Sequence, residues 1–245
     1  MRILFLLFAF WIAACGGSEP GADEAVDGTA VQPPTATAGS APSSTPTPEP
    51  ATDAPRVVFL GTSLTAGYGL ADPLAEAWPA RVADLAAADG TPIRVVNGGV
   101  SGDTSAGGLR RIVPLLSPAP AAVVLELGAN DGLRGLPIDE LRSNLDATID
   151  SIRIHAPDAP VVVTRMEPPR NLGAAYVDAF SGVFDSLATR DGVSVTPFLL
   201  DGVAAVPELN QRDGIHPVAE GHRRMAATVW PVLRDRLGAG GGGAP

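Results

Sequence analysis

This chain predicts an α/β fold, one parallel sheet with helices on both faces. Three observations carry that expectation. Short apolar runs, rich in β-branched residues and bounded by Gly, Pro or polar side chains, recur from residue 57 to residue 196. Helix-compatible stretches separate them. The runs are continuously apolar rather than alternating, as strands buried on both faces must be.

The elements follow in order. Strands are expected at 57–60, 93–96, 123–127, 161–164 and 193–196. The first helix, 78–88, has Pro79 in its opening turn, where a missing N–H breaks no helical bond. The second, 136–155, sets Leu141, Leu145, Ile149 and Ile152 at helical spacing. Two more are expected at 174–189 and 218–237. Sites in such sheets form beyond the carboxyl ends of the strands. Gly61-Thr62-Ser63, residues 97–103 and residues 128–131 directly follow the first three strands. The polar, glycine-rich segments therefore gather on one edge.

Composition removes several function classes. The 245 residues are 45% hydrophobic and 18% charged, enough for one sizeable core. A formal charge of −10 leaves no basic footprint for nucleic acid. All 17 basic residues are arginine, which excludes lysine Schiff-base chemistry and a P-loop lysine. Cys15 is the sole cysteine and has no partner for an internal disulfide. One cysteine and histidines scattered at 155, 216 and 222 argue against a zinc site.

The ends read differently from the middle. After Arg2 an unbroken apolar run spans residues 3–14. Those twelve residues are too few for a membrane span, which needs about 18 or more, and fit the apolar centre of an export signal. Ile12-Ala13-Ala14-Cys15 resembles a bacterial lipobox. That resemblance implies a signal peptide over 1–14, a lipid on Cys15 and a membrane anchor at the cell envelope. Gly16 fits sorting to an outer membrane; a Gram-positive cell surface is the alternative location. The other reading is an ordinary cleaved signal that leaves Cys15 a free thiol. Residues 15–55 are mostly Pro, Thr, Ser, Ala and Gly, with six acids and no base. Lacking large apolar side chains, they read as a disordered tether. Setting those six acids and Arg2 aside leaves residues 56–245 at −5. Residues 238–245 read as a flexible glycine-rich tail.

The middle holds the chemistry. Ser63 falls where the first strand ends and a helix begins, and Gly61 before it permits a tight corner. A serine at a strand-to-helix turn is placed as some nucleophiles are, with the helix's positive end nearby. A Gly-x-Ser alone is a weak signal, equally a simple turn. A serine needs a base, and Asp213 and His216 stand three apart before the last helix. That spacing lets the carboxylate hold the imidazole Nδ1–H and leaves Nε2 to take a proton. Asp213-Gly214 is also an ordinary turn signal and Pro217 an ordinary helix start. His155 reads as a cation at a helix end, and His222 as the surface or flank of the last helix. Gly102 after strand 2 and Asn130 after strand 3 can supply amide donors to a developing oxyanion. Each also reads as a turn or cap residue. What those separate readings leave unexplained is the convergence of all four elements on one rim.

At this point the sequence resembles a known family. The blocks "FLGTSLTAGYGL", "NGGVSGDTSAGGLRRI", "LELGANDGLRG" and "DGIHPVAEGHRRMA" are similar, in order and spacing, to the four motif blocks of the SGNH hydrolases, or GDSL esterase/lipase family. The likeness runs from about residue 56 to 237 and is nearest to the bacterial arylesterase, thioesterase and lysophospholipase subgroup. It implies a flavodoxin-like three-layer α/β/α sandwich with a five-stranded parallel sheet. It implies Ser63 as nucleophile, Asp213 and His216 completing a triad, and Ser63 N–H, Gly102 and Asn130 as the oxyanion hole. It implies no cofactor and no metal. The family's first block usually has Asp before the serine; Thr62 stands there in this chain. That departure bears on the bonding of the serine loop and on rate, while the implied triad acid lies elsewhere and catalysis is expected to survive. The expected activity is hydrolysis of small acyl esters, thioesters or lysophospholipids through an acyl-enzyme. Competing expectations are an envelope carbohydrate O-deacetylase and a binding module that kept the fold without turnover.

Overall fold

The structure, a computed structural model, describes residues 53–240. The expected export signal, Cys15 and the tether as far as residue 52 lie outside the described residues, as do residues 241–245. Residues 53–55, expected to belong to the tether, lie against the domain: Ala54 is buried and the Pro55 carbonyl accepts from Arg94 N–H.

In chain order the strands are β1 (Arg56–Gly61), β2 (Arg94–Gly99), β3 (Ala122–Glu126), β4 (Val161–Arg165) and β5 (Val193–Phe198). The helices are α1 (Ser63–Ala66), α2 (Pro73–Glu76), α3 (Trp78–Ala88), α4 (Ser105–Leu115), α5 (Ala129–Leu133), α6 (Ile138–His155), α7 (Ala174–Leu187) and α8 (Ala219–Gly240). All five expected strands and all four expected helices are present, with no end shifted by more than three residues. α4 was not expected, and α8 continues to Gly240, past the expected end at residue 237.

The strands form one sheet in the order β2-β1-β3-β4-β5, every pair parallel. The apolar runs explain why. Val57 to Leu60 and Val123 to Leu125 show no exposure at all, so both sheet faces are covered at the centre. α3 and α8 pack together, and α4 packs on α6, which packs on α7, giving the two outer layers. The stripe read from α6 is its buried face: Leu141, Leu145, Ile149 and Ile152, with Thr148 beside them. At about 25 cal/mol per Å² of apolar area, such faces carry most of the folding free energy.

Strand order also places the site. From β1 the chain moves outward to β2, then crosses back to β3 on the other side of β1. Connections leaving neighbouring strands in opposite directions open a crevice at their carboxyl ends. Ser63, Gly102 and Asn130 follow β1, β2 and β3 and stand at that crevice.

Candidate active site

β1 stops at Gly61 because the next turn is tight. A Cβ on Gly61 would stand 1.9 Å from Thr65 Oγ1 and 2.7 Å from a Glu126 carboxyl oxygen. α1 then begins with Ser63 as its first residue and closes after one turn, with Gly67 in the left-handed conformation (φ 71°). The serine side chain is thereby held above the sheet edge.

The loop before α8 brings the other two side chains. His216 Nδ1 lies 2.7 Å from Asp213 Oδ2, and His216 Nε2 lies 2.9 Å from Ser63 Oγ. An ionised carboxylate only accepts, so Nδ1 carries the hydrogen and Nε2 is left to accept from the serine. Asp213 Oδ1 takes the backbone N–H groups of Ile215 and His216, each at 3.1 Å. The hydrogen bond from His216, with help from those amides, holds the Asp213 carboxyl down at about 2. The loop is tied to the serine corner by Gln211, whose Nε2 donates to the Tyr68 carbonyl at 2.7 Å. The Tyr68 ring stands 4.7 Å from the His216 ring, tilted by 45°.

The two expected amide donors face the same cleft. Gly102 adopts φ 81°, a conformation glycine takes without strain, and lines the cleft with Ser63, Asn130 and His216. Asn130 donates one amide hydrogen to the Asp103 carbonyl at 2.8 Å, which orients its side chain and leaves the second hydrogen. Among the described residues, the N–H groups of Ser63 and Gly102 make no hydrogen bond. The cleft holds about 510 Å³. Its walls are mostly apolar, with Leu64, Leu133, Met166, Phe198, Leu200 and Ile215 beside the charged Glu167 and Arg170.

Four residues in this region were not singled out from the sequence. Arg111, on α4, donates to the carbonyls of Gly61 (2.7 Å) and Gly98 and to Asp103 (2.6 Å), clamping the ends of β1 and β2 to the Gly102 loop. Arg134 donates to the Gly102 carbonyl at 2.8 Å. Buried Asp131 accepts from Ser105 N–H and Oγ. Glu126, fully buried at the end of β3, accepts from Thr62 and Thr65; burial pushes its carboxyl up to about 7 against those hydrogen bonds. Thr62 thus bonds the serine loop to Glu126 through both its N–H and its hydroxyl. An isolated Glu at a strand end carries no sequence signal for such a partner 64 positions away.

Two histidine expectations separate here. His155 is exposed on the last turn of α6, as read. His222 is not on a surface: it is 1% exposed, and its Nδ1 accepts from Trp78 N–H at 3.1 Å. α3 covers that face of α8, and burial lowers the imidazole to about 4.

Asp213, His216 and Ser63 are thus joined in series at the carboxyl edge of the sheet, and the chain's relatives place it among the hydrolases of carboxylic esters. The chain belongs to the GDSL-like lipase/acylhydrolase family, whose model matches residues 59–224. It is 40% identical over 182 residues to Esterase TesA of Pseudomonas aeruginosa, covering 74% of this chain and 89% of that protein. Against the arylesterase of Vibrio mimicus it is 38% identical over 183 residues, covering 74% and 90%. A crystal structure of TesA matches with a TM-score of 0.69 at 39% identity, covering 74% of this chain and 99% of that one.

Proposed function

We propose that this chain is a serine esterase in which Ser63 is the nucleophile, His216 the general base and Asp213 its orienting acid. The observation that carries the reading is the continuous relay from Asp213 through His216 to Ser63 Oγ. Ser63 Oγ attacks the ester carbonyl carbon as His216 Nε2 takes its proton. The carbonyl oxygen becomes an oxyanion facing Ser63 N–H, Gly102 N–H and Asn130 Nδ2. Collapse expels the alcohol or thiol, which takes the proton back from Nε2, and leaves an acyl-serine. Water then attacks the acyl carbon as the same nitrogen takes its proton; collapse breaks the bond to Ser63 Oγ, which regains that proton as the acid leaves.

The apolar cleft supports an acyl or aryl group as the recognised part of the substrate. Relatives named esterase, arylesterase and thioesterase 1/protease 1/lysophospholipase L1 support carboxylic esters, thioesters and lysophospholipids over a sugar acetate. The lipobox resemblance at Cys15 supports export and a lipid anchor, holding the domain beside a membrane. Release of p-nitrophenol from short- and medium-chain esters by the full chain tests the reading. A folded protein that turns over no ester or thioester overturns it. Turnover confined to acetyl esters of sugars would favour the deacetylase reading.

A further inference from the structure

Glu126 is an ionisable side chain beside the serine for which the proposed chemistry has no use. It closes β3, pairs with Gly61 across the sheet and has no exposed surface. A carboxyl taken so far from water is tolerated only when well bonded. Four donors meet it. Oε2 accepts from Thr62 N–H at 2.7 Å, Thr65 N–H at 3.3 Å and Thr65 Oγ1 at 2.9 Å. Thr62 Oγ1 stands 3.0 Å from both carboxyl oxygens. All four donors belong to two residues, and those residues bracket Ser63. With the amides of Thr62 and Thr65 taken, the N–H groups of Ser63 and Leu64 are the ones left without a partner among the described residues. Gly61 is the condition for this approach, since any Cβ there would occupy the space of Thr65 Oγ1.

We propose that Glu126 is a positioning residue for Ser63. By gripping both flanks of the serine, it fixes the corner so that Ser63 Oγ meets His216 Nε2 and Ser63 N–H faces the cleft. It touches neither substrate nor the reacting atoms and acts through Thr62 and Thr65. The inference rests on Ser63 being the nucleophile. It also gives Thr62 a task at the position where the family usually carries Asp: its hydroxyl is one of the four donors.

The experiment compares full-length wild type with Glu126→Gln, Thr65→Val, Thr65→Ser and Ser63→Ala. Three quantities are read: kcat and KM on p-nitrophenyl butyrate, the rate of Ser63 phosphonylation by a fluorophosphonate followed by intact mass, and the thermal midpoint. Glu126→Gln and Thr65→Val are expected to lower kcat about ten- to a hundredfold with KM within about twofold, and to slow phosphonylation in step. Thr65→Ser, which keeps the donor, recovers most of what Thr65→Val loses. Wild-type kcat and labelling rate in both Glu126→Gln and Thr65→Val overturn the proposal. So does a fall in labelling amplitude with an unchanged rate per labelled site, since that is loss of folded protein only. Should Glu126→Gln fail to fold, the near-isosteric Thr65→Val decides. Ser63→Ala separates the two levels. If it is inactive while Glu126→Gln is normal, only the positioning role falls. If it turns over ester like wild type, the nucleophile assignment falls and the positioning role with it.

Discussion

His216 Nε2 stands 2.9 Å from Ser63 Oγ across 153 positions of chain, while Asp213 grips the same ring from three positions away. The Asp213–His216 pair is local, and the serine is delivered by the sheet. Their alignment does not rest on that one hydrogen bond. Gln211 ties the histidine loop to the Tyr68 carbonyl, its own N–H donates to the His216 carbonyl at 2.7 Å, and the Tyr68 ring packs on the imidazole. The β1–α1 corner and the 210–217 loop are therefore joined at several points, and the Ser63–His216 hydrogen bond lies between them.

Ser63→Ala deletes one oxygen whose only side-chain hydrogen bond among the described residues is to His216. Turnover of p-nitrophenyl butyrate is expected to fall by about a thousandfold or more, as loss of a triad nucleophile does elsewhere. The thermal midpoint should move by no more than a few degrees, because no core contact is lost. Turnover near the wild-type rate would remove Ser63 from the mechanism.

Asp213→Asn keeps the shape and removes the charge that sets the tautomer of His216. Where such an aspartate is buried the loss is about 10⁴-fold. Here the Asp213 side chain is 42% exposed and water can orient part of the ring, so a smaller loss is expected, on the order of 10² to 10³ in kcat/KM. Because Asp213 is held at about 2, acidification to pH 4 leaves it ionised. Any fall in wild-type activity between pH 7 and pH 4 is thus expected to come from other groups, which a pH–rate profile of both proteins would show.

The sheet was legible because its strands are buried on both faces and so leave unbroken apolar runs. The Asp213–His216 pair was legible because three residues of spacing suffice to describe it. α4 was hidden by Gly107, Gly108 and Pro114, which argue against a helix. Packing overrides propensity there: a Cβ on Gly108 would come within 2.5 Å of Leu127. Glu126, Arg111 and Asp131 bond across long stretches of chain, and their partners exist only once the strands are side by side. His222 was misplaced because its burial comes from α3, more than 130 residues earlier in the chain.

Asn130→Ala is expected to lower kcat by about 10² to 10³ with little change in KM, the pattern of a donor used when the oxyanion forms. The Asn130 amide also holds the Asp103 carbonyl, so the Gly102 loop loses one tie. Arg111 still clamps Asp103, which should keep the fold intact. Equal losses in kcat and substrate affinity would instead mark a structural role for this side chain.

Cys15→Ser tests the anchor. If Cys15 carries the lipid, the wild type should sediment with membranes and the variant should stay soluble. One acyl chain binds membranes only marginally, so stable retention requires more than one. Identical fractionation of the two proteins would count against lipidation at this position.

Two buried titratable groups, His222 and Glu126, should make opposite contributions to stability. For His222, the unfolded chain takes up a proton as pH falls through about 6.5, whereas the folded chain does so only near 4. Its contribution is complete above about 6.5 and lost on the way down to 4. For Glu126, the folded chain keeps a proton up to about 7, whereas the unfolded chain releases it near 4.5. Its contribution is complete below about 4.5 and lost as pH rises to 7. Each is worth about 3 kcal/mol at most, so between pH 4.5 and 6.5 the two slopes largely cancel. His222→Asn keeps an acceptor for the Trp78 N–H and removes one slope; relative to wild type, its stability should fall as pH rises across that window. Glu126→Gln should show the reverse. Urea unfolding at half-unit pH steps measures both differences. Two variants whose offsets from wild type do not change with pH would show that neither group changes its proton affinity on folding.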